Sequence, residues 1–276
     1  MTGLRRFLST GEARVGLAML LPLIALALLA PVLFPRDPMA IVGERLLRPF
    51  QESALPLGTD RLGRDVLAQL VHGAQTSLLV GLAAALSALC VGAVIGTIAG
   101  FGGRLADEIL MRITEAFQTV PAFLLALAFV SVIGPTLASV IFAIALGAWP
   151  APARVARAEV LSIREKDYVA AARVVGKRPF EIAFREILPN ALPPVLALSS
   201  VIVASAILIE AALSFLGLGD PNRITWGGMI AEGRTVLRSA SYLSIIPGIA
   251  LVIAVLAVYL LGEGAAKARL SKRSYA

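Results

Sequence analysis

The sequence predicts an all-α polytopic membrane protein with six transmembrane helices. Hydrophobic residues make up 58% of the 276 residues and the mean hydropathy is +0.85. A soluble domain is less apolar, at about half of its residues. The apolar residues gather into six runs, most of them long enough to cross roughly 30 Å of hydrocarbon as a helix.

The first apolar run, 15–34, follows the basic residues Arg5, Arg6 and Arg14. A cleaved signal peptide is the alternative, but its apolar core is ordinarily shorter, about 7–15 residues. We therefore interpret this run as the first transmembrane helix. The other predicted transmembrane helices are 77–100, 113–133, 137–152, 195–216 and 243–261.

Two features mark the second predicted helix, one before it and one within it. The polar segment 35–71 carries charges of both signs, and Thr59 or Asp60 is placed to cap a helix that begins near Val66. Further on, glycines recur every four residues at Gly92, Gly96 and Gly100. Such a ridge lets membrane helices pack closely, and we expect the packing to be intramolecular.

The charged segment 168–190, YVAAARVVGKRPFEIAFREILPN, interrupts the apolar runs. Ser162 and Glu165 predict a capping box, and Asp167 is a second N-cap candidate for the helix that follows. One face of that helix carries mostly small side chains, which would let a partner approach closely. The residues of this face are Tyr168, Ala171, Ala172 and Val175.

Glycine and proline divide this segment into two helices. Gly176 predicts a left-handed residue after the first helix, and Pro179 suits the first turn of a second helix, which Pro189 should end. The segment therefore predicts a helical hairpin that contacts another protein. The alternative is an amphipathic hairpin that lies on the bilayer surface.

Glu210 is the one ionisable residue that we place well inside a predicted transmembrane helix. A carboxylate in the membrane is costly and is by default a candidate for a functional site. The alternative is a position near the outer end, where Glu210 would be hydrated or paired with Arg223 or Arg234. After this helix, the 220–242 loop contains Trp226 and fits a short segment that dips into the outer interface.

Composition and charge exclude several functions. The net charge of +7 and the pI of about 10.2 do not indicate nucleic-acid binding, because the basic residues are spread through short loops without aromatic neighbours. The single cysteine, Cys90, excludes an internal disulfide. The single histidine, His72, leaves no metal cluster, and we expect it to lie at the membrane interface.

The distribution of basic residues predicts the orientation. If both termini and the 168–190 segment lie on one side, 17 of the 25 lysines and arginines fall there. The positive-inside rule then places the termini and this segment in the cytoplasm.

No nucleotide-binding loop is predicted. Residues 228–235, GMIAEGRT, differ from the pattern GxxxxGK[ST] at one position, but they follow no predicted strand, so we interpret the match as chance. The sequence also contains no internal repeat of the kind that self-powered transporters use.

Three stretches resemble the permease subunits of ABC importers, in particular the dipeptide/oligopeptide/nickel family. LGTDRLGRD (57–65) resembles the family's phrase before the second transmembrane helix, and SFLGLG (214–219) its phrase after the fifth. The 168–190 segment resembles the family's Glu-Ala-Ala signature, with Ala171, Ala172, Gly176, Leu188 and Pro189 at the matching offsets. It departs at two positions, where Ala170 replaces the usual Glu and Glu186 the usual Ile.

This resemblance implies a type I ABC importer permease fold with a cytoplasmic coupling helix. Residues 1–72 would form the N-terminal tail, first transmembrane helix and external loop, 73–264 the permease core, and 265–276 a basic cytoplasmic tail. The residues implied to couple to an ATPase are Asp167, Tyr168, Ala170, Ala171, Ala172, Gly176, Leu188 and Pro189.

The resemblance also implies the partners. We expect a second homologous permease, two ATP-binding subunits that use the ATP and magnesium, an extracytoplasmic substrate-binding protein and membrane lipid. The chain itself would be no enzyme and would need no cofactor. Its substrates would be di- or oligopeptides; a nickel chelate or other small solute is the alternative within the family, and a membrane scaffold or channel without ATP coupling the alternative outside it.

Overall fold

The computed structural model describes the backbone of residues 3–273 and the side chains of residues 6–268. This part of the chain contains helices, turns and one long irregular segment, residues 34–65, and no β-strand beyond isolated bridges. The all-α prediction is therefore confirmed. The helices are α1 (Gly3–Ser9), α2 (Gly11–Leu33), α3 (Val66–Phe101), α4 (Arg104–Thr119), α5 (Ala122–Ile133), α6 (Leu137–Ala148), α7 (Pro150–Ile163), α8 (Asp167–Val174), α9 (Pro179–Glu181), a π-helical stretch (Ile182–Ile187), α10 (Leu188–Ala197), α11 (Ser199–Phe215), α12 (Trp226–Arg234) and α13 (Tyr242–Arg273).

Among the described residues, three helices, α2, α3 and α13, are each long and apolar enough to cross a membrane alone. The remaining predicted transmembrane helices are bent pairs. The axes turn by 85° between α4 and α5, by 45° between α6 and α7, and by 53° between the α9–α10 helix and α11. With each pair counted as one crossing, the chain has up to six.

Proline explains the first two bends. Val120 has an extended backbone because the ring of Pro121 disfavours the helical region for the preceding residue. Pro150 opens α7 directly after Trp149, where its missing N–H is tolerated. The predicted helix 113–133 is therefore wrong as one continuous helix, and α7 extends the fourth predicted helix beyond residue 152.

Helix α3 is the central element and runs unbroken for 36 residues, roughly 54 Å. It packs against α2, α6, α7 and α11. A Cβ at Gly92 would lie 2.7 Å from the carbonyl oxygen of Trp149, and a Cβ at Gly96 would lie 2.6 Å from the Ala156 Cβ. The glycine ridge therefore brings α3 and α7 into close backbone contact, and the prediction of intramolecular packing is confirmed.

One carboxylate organises the turn before α3. Asp60 Oδ1 accepts hydrogen bonds from the backbone N–H groups of Leu62 (2.8 Å) and Arg64 (2.9 Å). Its Oδ2 accepts from the Gln69 side chain at 2.9 Å. The turn is thereby fixed to the first turn of α3.

The cap of α3 differs from the prediction. The helix begins at Val66 as expected, but its N-cap is Asp65, which accepts from the Leu67 N–H at 2.8 Å. The predicted caps, Thr59 and Asp60, are wrong because both side chains already bind other parts of the 34–65 segment.

Helix α12 is the short segment predicted in the 220–242 loop, but its aromatic residue lies inside the bundle. Trp226 is fully buried, and its indole N–H donates to the Leu70 carbonyl at 3.0 Å. Its backbone N–H donates to Ser77 Oγ at 3.2 Å. The expectation that Trp226 lies at the membrane interface is therefore wrong, and α12 is anchored to α3.

The two ends of the described chain lie together. Lys267 near the end of α13 pairs with Glu12 at the start of α2. The backbone of α13 continues as a helix to Arg273, whereas the predicted basic side chains of residues 269, 272 and 273 lie outside the described side chains.

Candidate functional site

The 168–190 hairpin forms around Gly176 as predicted. Gly176 has φ +82°, in the left-handed region that favours glycine. Its N–H donates to the Arg173 carbonyl at 3.0 Å, and the Lys177 N–H donates to the Ala172 carbonyl at 3.1 Å. These two bonds form a Schellman motif, which satisfies the last carbonyls of α8 and turns the chain sharply.

The start of α8 differs from the prediction. Ser162 lies within α7, which ends at Ile163, so the predicted capping box with Glu165 does not form. Lys166 occupies the N-cap without a side-chain bond, and Asp167 is the first residue of α8. There the Asp167 carboxylate still complements the positive end of the helix dipole.

The second helix of the hairpin continues past Pro189, contrary to the prediction. Pro179 opens it as expected, and Pro189 stands in the first turn of α10. The intervening residues, Ile182–Ile187, are π-helical, and the Leu188 N–H bonds to the Ala183 carbonyl, five residues back. The wider π turn accommodates a proline that would collide with a carbonyl in a regular α-helix.

Part of the hairpin packs against α7. Val169 and Ala172 of α8 and Ile187 of the π turn are buried in one cluster with Val160 and Ile163. Of the predicted small-residue face, only Ala172 belongs to this cluster. Tyr168, Ala171 and Val175, and also Ala170, are exposed, and Leu188 is half-buried.

The tip of the hairpin exposes an apolar surface, which we call the hairpin tip (Val174, Val175 and Phe180). The exposed fractions of these residues are 88%, 79% and 73%. Charged residues surround the tip; they are Arg173, Lys177, Arg178, Glu181, Arg185 and Glu186. An apolar patch rimmed by charge on a rigid turn is typical of a protein contact.

Two contacts fix the hairpin internally. Lys177 bridges to Glu186 at 2.5 Å, from the turn to the π stretch, and this hydrogen bond raises the pKa of the Lys177 ammonium. Asn190 donates to the Glu186 carbonyl at 2.7 Å and to the Tyr168 hydroxyl at 3.4 Å. Both arms of the hairpin are thus held together by side chains.

The hairpin, and the α7–α8 connection that leads into it, contact the end of α3. The Arg164 guanidinium donates to the Gly100 carbonyl at 2.9 Å. The Arg173 guanidinium lies 5.9 Å from the centre of the Phe101 ring. A displacement of the hairpin would therefore act directly on α3.

Glu210 lies at the other end of α3, where its side chain is buried. It accepts hydrogen bonds from Ser77 of α3 (3.2 Å) and Ser214 of α11 (2.6 Å). Since the Ser77 hydroxyl also accepts from the Trp226 N–H, Glu210 joins α3, α11 and α12. Among the ion pairs of the described residues, none involves Glu210, so the predicted pairing with Arg223 or Arg234 is not formed; the Arg234 guanidinium instead lies 4.5 Å from the centre of the Phe215 ring.

A polar cleft that the sequence did not predict lies between α4 and α7. Its volume is about 660 Å³, and its lining includes Glu115, Gln118 and Arg154. Arg154 donates to Gln118 at 3.1 Å, and below it Arg157 pairs with Asp107. Pro150 is the residue from which this cleft could have been predicted, because it bends α7 away from the apolar α6 and brings Arg154 opposite Gln118.

Comparison with known proteins agrees with this architecture. Residues 92–271 match the family described as binding-protein-dependent transport system inner membrane component. The di/tripeptide transport system permease protein DppC of Pseudomonas aeruginosa is 38% identical over 90% of this chain and 84% of its own length. The dipeptide transport system permease protein DppC of Alkalihalophilus pseudofirmus is 36% identical over 91% of this chain and 83% of its own length.

A solved structure shows the same fold. The chain matches the inward-facing MetNI methionine ABC transporter with a TM-score of 0.58 at 20% identity, over 71% of this chain and 93% of that one.

Proposed function

Because the chain belongs to the family of binding-protein-dependent transport system inner membrane components, we propose that it is a permease subunit of an ABC importer for di- or oligopeptides. The observation that carries the proposal is the hairpin tip, an apolar surface held rigidly at one end of α3 and covered by no other described part of the chain. The names of the DppC relatives support peptides as the substrate.

The proposed assembly contains a second permease, two ATP-binding subunits that bind the ATP and magnesium, and an extracytoplasmic binding protein. Residues 73–264 form the permease core of this chain, preceded by the N-terminal unit 1–72 and followed by the basic tail 265–276. The termini and the hairpin lie in the cytoplasm, as the distribution of basic residues supports. No cofactor is required by the permease itself.

The hairpin tip inserts into a groove of the ATP-binding subunit. Closure of the ATP-binding subunits moves the hairpin. The Arg164 hydrogen bond to Gly100 and the contact of Arg173 with the Phe101 ring pass that movement to the end of α3. Two arrangements of the bundle, open to one side or the other, then alternate. The coupling residues Asp167, Tyr168, Ala170, Ala171, Ala172, Gly176, Leu188 and Pro189 act by shaping this hairpin rather than by chemistry.

The cleft between α4 and α7 forms a polar part of the wall of the substrate path. A peptide carries charged termini, and Glu115, Gln118 and Arg154 offer partners of both signs and a neutral amide. Charged groups on helices of a membrane bundle ordinarily face a water-filled cavity, which supports this position for the path.

Co-purification tests the coupling surface. The variants Val174→Asp and Phe180→Asp place a carboxylate at exposed tip positions, so the folded chain tolerates them. Each should reduce recovery of the ATP-binding subunits at least about tenfold, since an unpaired carboxylate in an apolar contact costs more than about 1.4 kcal/mol.

Ile41→Asp is the matched control, because Ile41 is 71% exposed in the 34–65 segment, away from the hairpin. It should leave recovery unchanged. Recovery of the ATP-binding subunits with both tip variants at the control level would refute the coupling surface. A wild-type chain that co-purifies with no ATP-binding subunit would favour a scaffold or channel.

A further inference from the structure

A second cleft lies at the opposite end of α3 from the hairpin. Its volume is about 380 Å³, within the range of about 300–1,000 Å³ that small-molecule sites occupy. It is lined from the turn before α3, the first turn of α3, the end of α11, the connection to α12, and α12 itself. The cleft therefore joins elements that are distant in sequence.

The cleft contains a cationic side chain without a described partner. Arg64 lines it, and the Arg64 Nε is buried with no hydrogen-bond acceptor among the described residues. Its backbone is fixed by Asp60, which accepts from the Arg64 N–H at 2.9 Å. The Arg64 side chain is half-buried, and a buried donor is costly unless it meets an acceptor, so its guanidinium is placed to donate to an anionic ligand.

Two more charged residues line the same cleft. Arg223 and Glu232 form no ion pair with any described residue. Asp220, by contrast, is used structurally, because its two oxygens accept from the Leu137 and Asn222 N–H groups at 3.0 and 2.9 Å. The cleft thus offers two cations and one carboxylate to a ligand.

Part of the remaining wall is apolar, beside the neutral polar side chains of Gln69, Ser214 and Thr225. Met39, Ile224, Met229 and Ala231 line the cleft between the charged residues. A ligand that matches this lining carries a carboxylate, an ammonium group and small apolar side chains. A phosphate or metal chelate would leave either Glu232 or the apolar wall without a partner.

We infer that this cleft is a binding site for a short zwitterionic peptide, with Arg64 and Arg223 holding its carboxylate and Glu232 its ammonium group. The inference rests on the proposed function, to which it adds a peptide-binding site on the permease itself. Ser214 both lines the cleft and donates to Glu210, so an occupied cleft is one contact from the junction of α3, α11 and α12.

The test measures binding to the assembled importer in nanodiscs without the binding protein. The probes are the dipeptide Ala-Ala, its C-terminal amide, and its N-acetyl derivative. Arg223→Gln should weaken binding of Ala-Ala and N-acetyl-Ala-Ala about tenfold or more and leave the amide unaffected, because the amide has no carboxylate to lose. Glu232→Gln should weaken Ala-Ala and the amide and leave the N-acetyl derivative unaffected.

Arg64→Gln should behave as Arg223→Gln, and the exposed Arg223 keeps the test valid if the half-buried Arg64 variant fails to fold. Arg238→Gln is the matched control, since Arg238 is exposed in the connection between α12 and α13 but does not line the cleft. The inference is overturned if the wild-type complex shows no saturable binding of Ala-Ala, or if Arg223→Gln and Glu232→Gln affect the three probes alike.

Uptake of Ala-Ala by the complete importer, measured in parallel, separates the two proposals. Wild-type uptake without binding in the nanodiscs refutes the cleft and leaves the proposed function standing. A complete importer that transports no peptide refutes the peptide function and the cleft together.

Discussion

Replacing Gly176 should uncouple the importer without removing the protein from the membrane. A Cβ added at Gly176 would meet nothing within 4 Å, so the cost of a side chain is set by the backbone. At φ +82° an L residue costs roughly 1–2 kcal/mol, and a β-branched one the most. A penalty of that size lowers the equilibrium constant for forming the hairpin geometry about five- to thirtyfold.

The assay compares Gly176→Val with Gly176→Asn in reconstituted uptake and in ATP-binding subunit recovery. Asparagine adopts the left-handed region more readily, so it should retain most activity whereas valine should lose nearly all of it. The amount of chain in the membrane should be equal in both. Equal transport by the valine and asparagine variants would refute the assignment of Gly176 to coupling.

Three further variants test packing, the buried carboxylate and pH dependence. Gly96→Ala should lower the melting temperature of the purified chain, because overpacking against α7 costs about 1–3 kcal/mol. Gly248→Ala is the control and should raise the melting temperature, because a Cβ there meets nothing within 4 Å. The same shift in both variants would contradict the role of the ridge. The Glu210→Leu variant should melt at a temperature well below that of Glu210→Gln, because leucine leaves two buried serine hydroxyls without an acceptor, at about 1–3 kcal/mol each. Equal melting temperatures would exclude a stabilising junction of α3, α11 and α12 at Glu210. Hydrogen bonding to Glu186 raises the pKa of Lys177, so the difference in melting temperature between wild type and Lys177→Gln should stay constant from neutral pH to 10.5. The difference should vanish as the pH rises through the raised pKa. Its loss in the neutral range would contradict the Lys177–Glu186 ion pair.

The sequence predicted the features that depend on local chemistry. Gly176 and Pro179 mark the hairpin because left-handed backbone and a first-turn proline have strong residue preferences. The spacing of Gly92 and Gly96 predicted a close helix contact. These signals are contained within a few neighbouring residues.

The features that the sequence predicts wrongly depend on long-range contacts. The π turn before Pro189 buries Ile182 and Ile187 in one cluster with residues of α7 and α8, and no local pattern reveals that burial. The environment of Glu210 requires Ser77, which is 133 positions away along the chain. Likewise, the sequence around Trp226 predicts an interfacial residue, because its burial depends on a contact with the distant helix α3.

The glycine ridge has a mechanical consequence. Two helices whose backbones touch at Gly92 and Gly96 cannot slide or rotate past each other without collision of Ala156 and Pro152 with the opposite backbone. We therefore expect α3 and α7 to behave as one stiff body during the transport cycle. Of the three breaks, the one at Trp149 is itself packed against Gly92, so the hinges must lie at Pro121 and Leu198. A crosslink between α3 and α7 should therefore leave turnover intact, whereas a crosslink across either hinge should stop it.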